Sequence, residues 1–197
     1  MNRFFLVLLL FTLCCSAGSI AQPDYQLEGK LFSSLKEALA QPDSVTRLSL
    51  RRKRLRSIPL EVYLFPNLRE LDLGSNKISA LPDDLGRLEK LEILRLSRNK
   101  LDSLNKSIGD LKELRYLDLG KNNISKLPYE IGNLRKLEFL QIWGNEVSQL
   151  PESISDLTTL KWLDMRAILL TDSEREDILL LLPDTELLIS PGCNCGK

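Results

Sequence analysis

The feature that most constrains the fold of this chain is a set of leucine and asparagine positions that recur every 23 residues. A fixed period of this length indicates stacked structural units rather than one closed core, because each unit can bury its apolar face only against its neighbours. The asparagine column contains Asn76, Asn99, Asn122 and Asn145, and three leucine columns start at Leu68, Leu71 and Leu73.

Each unit has the pattern L-x-x-L-x-L-x-x-N-x-L-x-x-L-P-x-x-I-G-x-L, which is complete between Leu114 and Leu134. Leucines two positions apart point to one side of a strand, so the pattern predicts one short strand per unit in a parallel sheet. The asparagine that follows each strand can pair the backbone groups of the turn. Pro128 and its equivalents fix φ where the chain enters the return segment. We expect Gly132 and its equivalents to let that segment bend.

The pattern extends over residues 45–168 and resembles the leucine-rich repeat family. Its L-P-x-x-I-G version is similar to the plant-intracellular and Ras-scaffold-like subgroup of that family. The resemblance implies an α/β solenoid, a leucine-rich repeat arc with short parallel strands on the concave side and short helical or irregular segments on the convex side.

The segments on either side of the repeats predict helical caps that cover the ends of the core. Ser33–Ala40 is typical of a short amphipathic helix with a serine N-cap. A second helix begins at Thr171 or Asp172 and ends before Pro183, and Thr185–Ile189 predicts a final strand. The predicted organisation is a signal peptide over 1–21, an N-terminal cap over 22–44, about six repeat units over 45–168, a C-terminal cap over 169–190 and a flexible cysteine-containing tail over 191–197.

The first 21 residues have the order of a secretory signal peptide. A short positive start precedes an apolar run over Phe4–Leu13, and Ser19 and Ala21 are small residues at positions −3 and −1. The run is about ten residues, well short of the ~20 that a membrane-spanning helix needs. We therefore expect cleavage near Ala21 and export to the periplasm, the cell surface or the extracellular space, with no membrane span in the mature chain. Lipidation of Cys14 or Cys15, and an uncleaved N-terminus, are the alternatives.

Composition excludes several classes of function. The chain has 27 basic and 27 acidic residues, and the usual nucleic-acid binder needs surplus positive charge on one face. It has no histidine, so a histidine base or metal ligand is excluded. We expect a protein that is not an enzyme and that needs no cofactor or metal.

Cys193 and Cys195 allow a strained local disulfide, an intermolecular link or a soft-metal pair, or else belong to a tail with no catalytic role. The basic cluster from Arg51 to Arg56 is either an anion site or a solvated surface paired with acidic residues.

The strand positions that the leucines do not use predict the make-up of the concave face. Tyr116, Phe139 and Trp162 occupy one outward column, so we expect exposed aromatic rings stacked in a row, with Trp143 diagonally beside it. Exposed aromatic side chains with polar neighbours are typical of protein-binding hot spots. Cross-strand aromatic pairs also stabilise a sheet without any partner, so both interpretations stand. The candidate partner-binding residues are Arg95, Tyr116, Asp118, Phe139, Gln141, Trp143, Trp162 and Asp164.

Our leading hypothesis is an exported, monomeric protein that binds a protein or another macromolecule through its concave face. The first alternative is an envelope-tethered structural or adhesin-like spacer. The second is an intracellular signalling scaffold, which applies if the N-terminal segment is not a signal peptide.

Overall fold

The computed structural model describes Tyr25 and residues 27–190. All the strands of these residues belong to a single sheet. Its eight strands are parallel, and each pairs with the next strand along the chain. The strands are β1 (Leu31–Phe32), β2 (Arg47–Ser49), β3 (Glu70–Asp72), β4 (Ile93–Arg95), β5 (Tyr116–Asp118), β6 (Phe139–Gln141), β7 (Trp162–Met165) and β8 (Glu186–Ile189).

The 23-residue period is the register of the sheet from β2 to β7. Leu71 pairs with Leu94, Leu94 with Leu117, and Leu117 with Leu140, so each leucine column becomes a row across the strands. These leucines are fully buried and belong to one continuous core between the sheet and the return segments. The predicted parallel solenoid and its leucine core are confirmed.

The predicted asparagine column is also confirmed. The Oδ1 atom of Asn122 accepts a hydrogen bond from the Leu101 N–H at 3.1 Å, in the turn of the preceding unit. Its Nδ2 atom donates to the carbonyl oxygens of Leu96 and Leu119 at 3.1 and 2.8 Å. Asn76, Asn99 and Asn145 make the equivalent bonds, so each amide joins two neighbouring turns.

The return segments on the convex side contain short 3-10 helices. A proline with φ near −65° precedes three of them, at Pro59, Pro128 and Pro151, as expected for a residue that fixes the entry into a helical turn. Within the described residues, the 3-10 helices of the return segments are Leu60–Leu64, Leu85–Arg87, Lys106–Asp110, Tyr129–Asn133 and Glu152–Asp156. A further 3-10 helix, Pro42–Ser44, precedes β2.

The glycines of these segments have a different role from the predicted one. A Cβ atom at Gly109 would lie 2.4 Å from the Glu130 carbonyl oxygen, and one at Gly132 would lie 2.3 Å from the Ser153 carbonyl oxygen. Neither glycine has positive φ. They therefore serve close stacking of neighbouring units rather than bending of the chain.

Each strand from β2 to β7 is followed by a residue in the left-handed conformation. The position directly before each ladder asparagine has φ between 53° and 64°, but only Gly144 is a glycine there. Its equivalents include Ser75, Arg98 and Lys121. The backbone N–H at this position donates to a carbonyl oxygen of the next unit, for example Lys121 to Trp143 at 2.8 Å. This hydrogen bond offsets the steric cost of positive φ at a residue that has a Cβ atom.

The elements at the two ends differ in how closely they follow the prediction. Helix α1 covers Leu35–Ala38 only, and Ser34 occupies its N-cap position without a side-chain cap bond. A serine thus occupies the predicted N-cap position, but its side chain does not bond the backbone of the helix. Ala38 is buried in the core, whereas Leu39 at the C-cap position is 41% exposed.

Helix α2 covers Asp172–Leu181 and has a capping box, in which Thr171 and Glu174 bond each other's backbone N–H. It is followed by β8, which pairs with β7 as the last strand of the described sheet. No helix in residues 27–190 is long and apolar enough to span a bilayer.

Candidate functional site

The aromatic row on the concave face is only partly accessible. The Tyr116 and Phe139 rings lie side by side, with centroids 6.2 Å apart. Tyr116 is only 7% exposed and Trp162 only 3% exposed, so the expectation of exposed rings is wrong for both. Trp162 lies in β7 between two other strands, whereas Phe139 remains half-buried.

The acidic residues of the next column accept hydrogen bonds from backbone N–H groups of the turns. Asp118 accepts the Gly120 N–H at 3.0 Å, and Asp164 accepts the Arg166 N–H at 3.1 Å. Arg166 also binds Asp164 through its guanidinium, at 2.9 and 2.7 Å. Both carboxylates are buried, so they stabilise the turns beside the concave face instead of offering an accessible charge to a partner.

Gln141 lies between these two carboxylates in the sheet register, and it is buried as well. A neutral amide at this position keeps two like charges from being direct cross-strand neighbours. Its Nε2 atom has no hydrogen-bond partner within the described residues.

Burial raises the pKa of the Asp118 carboxyl. Hydrogen bonds from the Ser97 side chain and the Gly120 N–H, together with the positive charge of Arg95, oppose this rise without cancelling it. The loss of hydration at a buried carboxylate is the physical cause.

Trp143 is the candidate residue whose surroundings best fit a partner contact. Its indole covers Gly120 so closely that a Cβ atom there would lie 2.2 Å from the Trp143 Nε1 atom. The Lys121 ammonium lies 5.3 Å from the ring centroid. The missing Cβ atom of Gly120 lets the indole lie close to the backbone, and the ring remains half-buried.

Arg95 belongs to a cluster of charges over β2, β3 and β4. Buried Glu70 accepts from Arg95 Nη1 at 2.5 Å and from Arg47 Nε at 2.6 Å. The Arg95 guanidinium also lies over the Tyr116 ring, 5.1 Å from its centroid. One carboxylate thus orients two arginines, and one of them lies next to the aromatic rings.

The structure places a residue on this face that the sequence did not indicate. Tyr25 packs against Tyr116, with centroids 6.5 Å apart and ring planes at 22°, and against Phe139 at 6.0 Å. The Tyr25 carbonyl oxygen accepts from Arg95 Nη2 at 2.8 Å. Burial raises the pKa of the Tyr25 hydroxyl, and Arg115 opposes the rise. Tyr25 lies outside the repeats, so the 23-residue period carries no signal for it.

A row of alternating charges runs beside the aromatic column. Arg69 pairs with Glu92 at 2.6 Å, and Arg115 pairs with Glu138 at 2.7 Å. Lys161 extends the row through a second contact to Glu138, and its hydrogen bond is the main reason that the Glu138 pKa is lowered. These residues recur at 23-residue steps, so the row was readable from the sequence and was missed.

The basic cluster from Arg51 to Arg56 is exposed in the first turn. Arg51 has one distant ion pair, 3.9 Å from Asp72, and Arg52 and Arg54 have positive φ on either side of Lys53. Cys14, Cys15, Cys193 and Cys195, and the predicted signal peptide, lie outside the described residues. Within the described residues no three potential metal ligands lie close enough together to hold an ion.

The surface that remains on the concave side is therefore smaller than predicted. Arg95, Phe139 and Trp143 have accessible side-chain atoms there. The side chains of the other candidates are buried or largely covered by their neighbours: Tyr116, Asp118, Gln141, Trp162 and Asp164.

Two family models match adjacent parts of the chain. A leucine rich repeat family matches residues 43–101, and a leucine-rich repeat region matches residues 102–173. The chain belongs to the leucine-rich repeat family. No curated protein sequence matches it.

Solved structures of leucine-rich repeat proteins share the fold. A leucine-rich repeat protein of Leptospira interrogans is 32% identical with a TM-score of 0.67, over 82% of this chain and 47% of that protein. Internalin C2 of Listeria monocytogenes is 20% identical with a TM-score of 0.66, over 84% of this chain and 70% of that one. The chain spans about half the length of the Leptospira relative.

A third similar structure is a plant peptide hormone receptor, RGFR1, solved in complex with RGF2. It is 28% identical with a TM-score of 0.57, over 74% of this chain and 24% of the receptor. The leucine-rich repeat fold is consistent with protein–protein binding, and these proteins are typically binding scaffolds rather than enzymes.

Proposed function

We propose that this leucine-rich repeat protein is exported and binds a protein partner through the concave face, without enzymatic activity. The observation that carries the proposal is Trp143, an accessible indole fixed over Gly120 and flanked by Lys121. Tryptophan and arginine are enriched among the residues that contribute most to binding energy. The concave face has one of each with accessible atoms, Trp143 and Arg95. The N-terminal signal-peptide pattern supports export.

The mechanism would be preorganised shape. Every strand of the face is paired on both sides except at the ends of the described sheet, and the turns are joined by the asparagine column. A surface held in this way loses little conformational entropy on binding, so a few anchors can suffice.

The test compares Trp143→Ala with Tyr129→Ala, which removes an exposed aromatic side chain in a convex segment. Partners are first co-purified with the wild-type protein from its native host, and their affinities are then measured by calorimetry. We expect Trp143→Ala to cost about 2 kcal/mol or more, roughly a 30-fold rise in Kd, and Tyr129→Ala to change little. Equal affinity of both variants for the partner would refute the proposed site.

Trp162 is not a suitable probe for this purpose. It is 3% exposed, so its truncation would act on folding, at a cost of about 3–5 kcal/mol that would obscure any effect on binding.

A further inference from the structure

The N-terminal segment, described at Tyr25 and over residues 27–30, contacts the concave face before the chain enters the sheet at β1. Arg95 Nη2 donates to the Tyr25 carbonyl oxygen at 2.8 Å, and Arg47 Nη1 donates to the Gly29 carbonyl oxygen at 3.0 Å. The two arginines are in strands two apart, a separation of about 10 Å. Four residue steps of extended chain reach roughly 13 Å. The segment between Tyr25 and Gly29 is therefore long enough to run across the strands while both carbonyl groups are bound.

The groups that hold this segment do not depend on it for their orientation. Glu70 binds Arg47 and Arg95 at the same time, and Tyr116 and Phe139 are fixed in neighbouring strands of the sheet. The guanidinium groups bind backbone carbonyl oxygens, which any extended peptide offers. The side-chain selectivity of the site comes from the two rings that contact Tyr25.

The segment itself is weakly attached. The residues from Glu28 to Lys30 are exposed, and Tyr25 remains half-exposed on top of the two rings. Two aromatic contacts and two charge-assisted hydrogen bonds are set against the entropy of ordering the residues before β1, and terms of this kind are similar in size. The segment can therefore be displaced without disturbing the leucine core.

We infer that the groove formed by Arg47, Arg95, Tyr116 and Phe139 is a binding site for an extended peptide of a partner protein that presents an aromatic side chain, and that Tyr25 is its internal competitor. The inference rests on the proposed function, because it names the class of partner for the same face. The partner peptide would place its aromatic ring over Tyr116 and Phe139 and a backbone carbonyl oxygen at Arg95.

The probe is a labelled peptide with the sequence of residues 22–29, Q-P-D-Y-Q-L-E-G, titrated against the full chain by fluorescence anisotropy. If the internal segment occupies the groove most of the time, its removal raises the apparent affinity in proportion to the freed fraction. We expect Tyr25→Ala to bind the peptide about tenfold more tightly than the wild type does. A peptide with alanine in place of the tyrosine should not bind either protein.

The second arm tests the groove itself in the Tyr25→Ala background. Adding Arg95→Ala should abolish peptide binding, whereas Arg98→Ala, which removes an exposed arginine from the following turn, should leave it unchanged. Circular dichroism checks that each variant keeps its fold. Equal peptide affinity of the wild type and Tyr25→Ala, or equal binding of the alanine peptide, would overturn the inference.

The inference and the proposed function can fail separately. If Trp143→Ala loses the native partner while Tyr25→Ala gains no peptide affinity, the peptide site is refuted and the concave partner surface stands. If Tyr25→Ala binds the peptide and Trp143→Ala keeps its partner, the peptide site stands and the Trp143 anchor is refuted. Wild-type dimers that disappear in Tyr25→Ala would assign the groove to the segment of a second copy and overturn the assignment to a different protein.

Discussion

Replacing Asn122 with alanine tests whether the asparagine column holds the solenoid together. The side chain of Asn122 makes three hydrogen bonds, but their loss does not have equal consequences. The Leu96 carbonyl oxygen also accepts from Asn99, and the Leu119 carbonyl oxygen also accepts from Asn145. Both acceptors therefore keep a partner in the variant.

The Leu101 N–H has no such replacement among the bonds of the described residues, since its partner is Asn122 Oδ1. Leaving a buried donor unsatisfied costs about 1–3 kcal/mol, and each of the other two bonds contributes about 0.5–1.5 kcal/mol. Since both acceptors are partly satisfied, we expect a total loss of about 3 kcal/mol in the free energy of unfolding.

The measurement is urea denaturation followed by far-ultraviolet circular dichroism, with linear extrapolation to water. The control is Asn123→Ala, which removes the neighbouring asparagine, an exposed residue whose side chain contacts Asp102 at 3.3 Å. We expect this control to stay within about 0.5 kcal/mol of the wild type. A loss below about 1 kcal/mol in Asn122→Ala, or equal losses in both variants, would refute the role given to the column.

Two further predictions concern the concave face. Because burial raises the pKa of Asp118, the folded protein holds its proton more tightly than the unfolded chain does, and the wild type loses stability as pH rises from the ordinary value of 3.8 towards the raised one. Asp118→Asn keeps an acceptor for the Gly120 N–H, so urea titrations should find the variant gaining on the wild type over that pH window; a relative loss with rising pH would contradict this. In Gly120→Ala the new Cβ would meet Trp143, so we expect a red-shifted tryptophan emission and a cost of about 1–3 kcal/mol. An unchanged emission spectrum would mean that the indole is not held there.

The regular parts of the molecule could be predicted because they repeat a local rule. Each leucine of the ladder meets the leucine 23 residues away, so a single unit contains the information for the register of the strands from β2 to β7. The asparagine column follows for the same reason. The glycines were predicted at the right places with the wrong role, since only the stacked structure shows that Gly109 faces the Glu130 carbonyl oxygen.

The candidate site was predicted less completely, because accessibility is not a property of one column. Trp162 is buried in an inner strand, and Asp118 and Asp164 bind backbone groups two residues further along. The Trp143 ring packs over Gly120, and only the structure shows that this glycine makes room for it. The αL residue before each asparagine also had no sequence signal, since only Gly144 among them is a glycine.

The sequence by itself determined the solenoid, because the contacts that build it join chemically equivalent residues at one fixed spacing. Only the tertiary structure decided what occupies the concave face. Tyr25 reaches Arg95 across 70 positions of sequence and has no counterpart in any repeat. A contact between two unlike segments leaves no period in the sequence, so it becomes visible only when the folded chain brings them together.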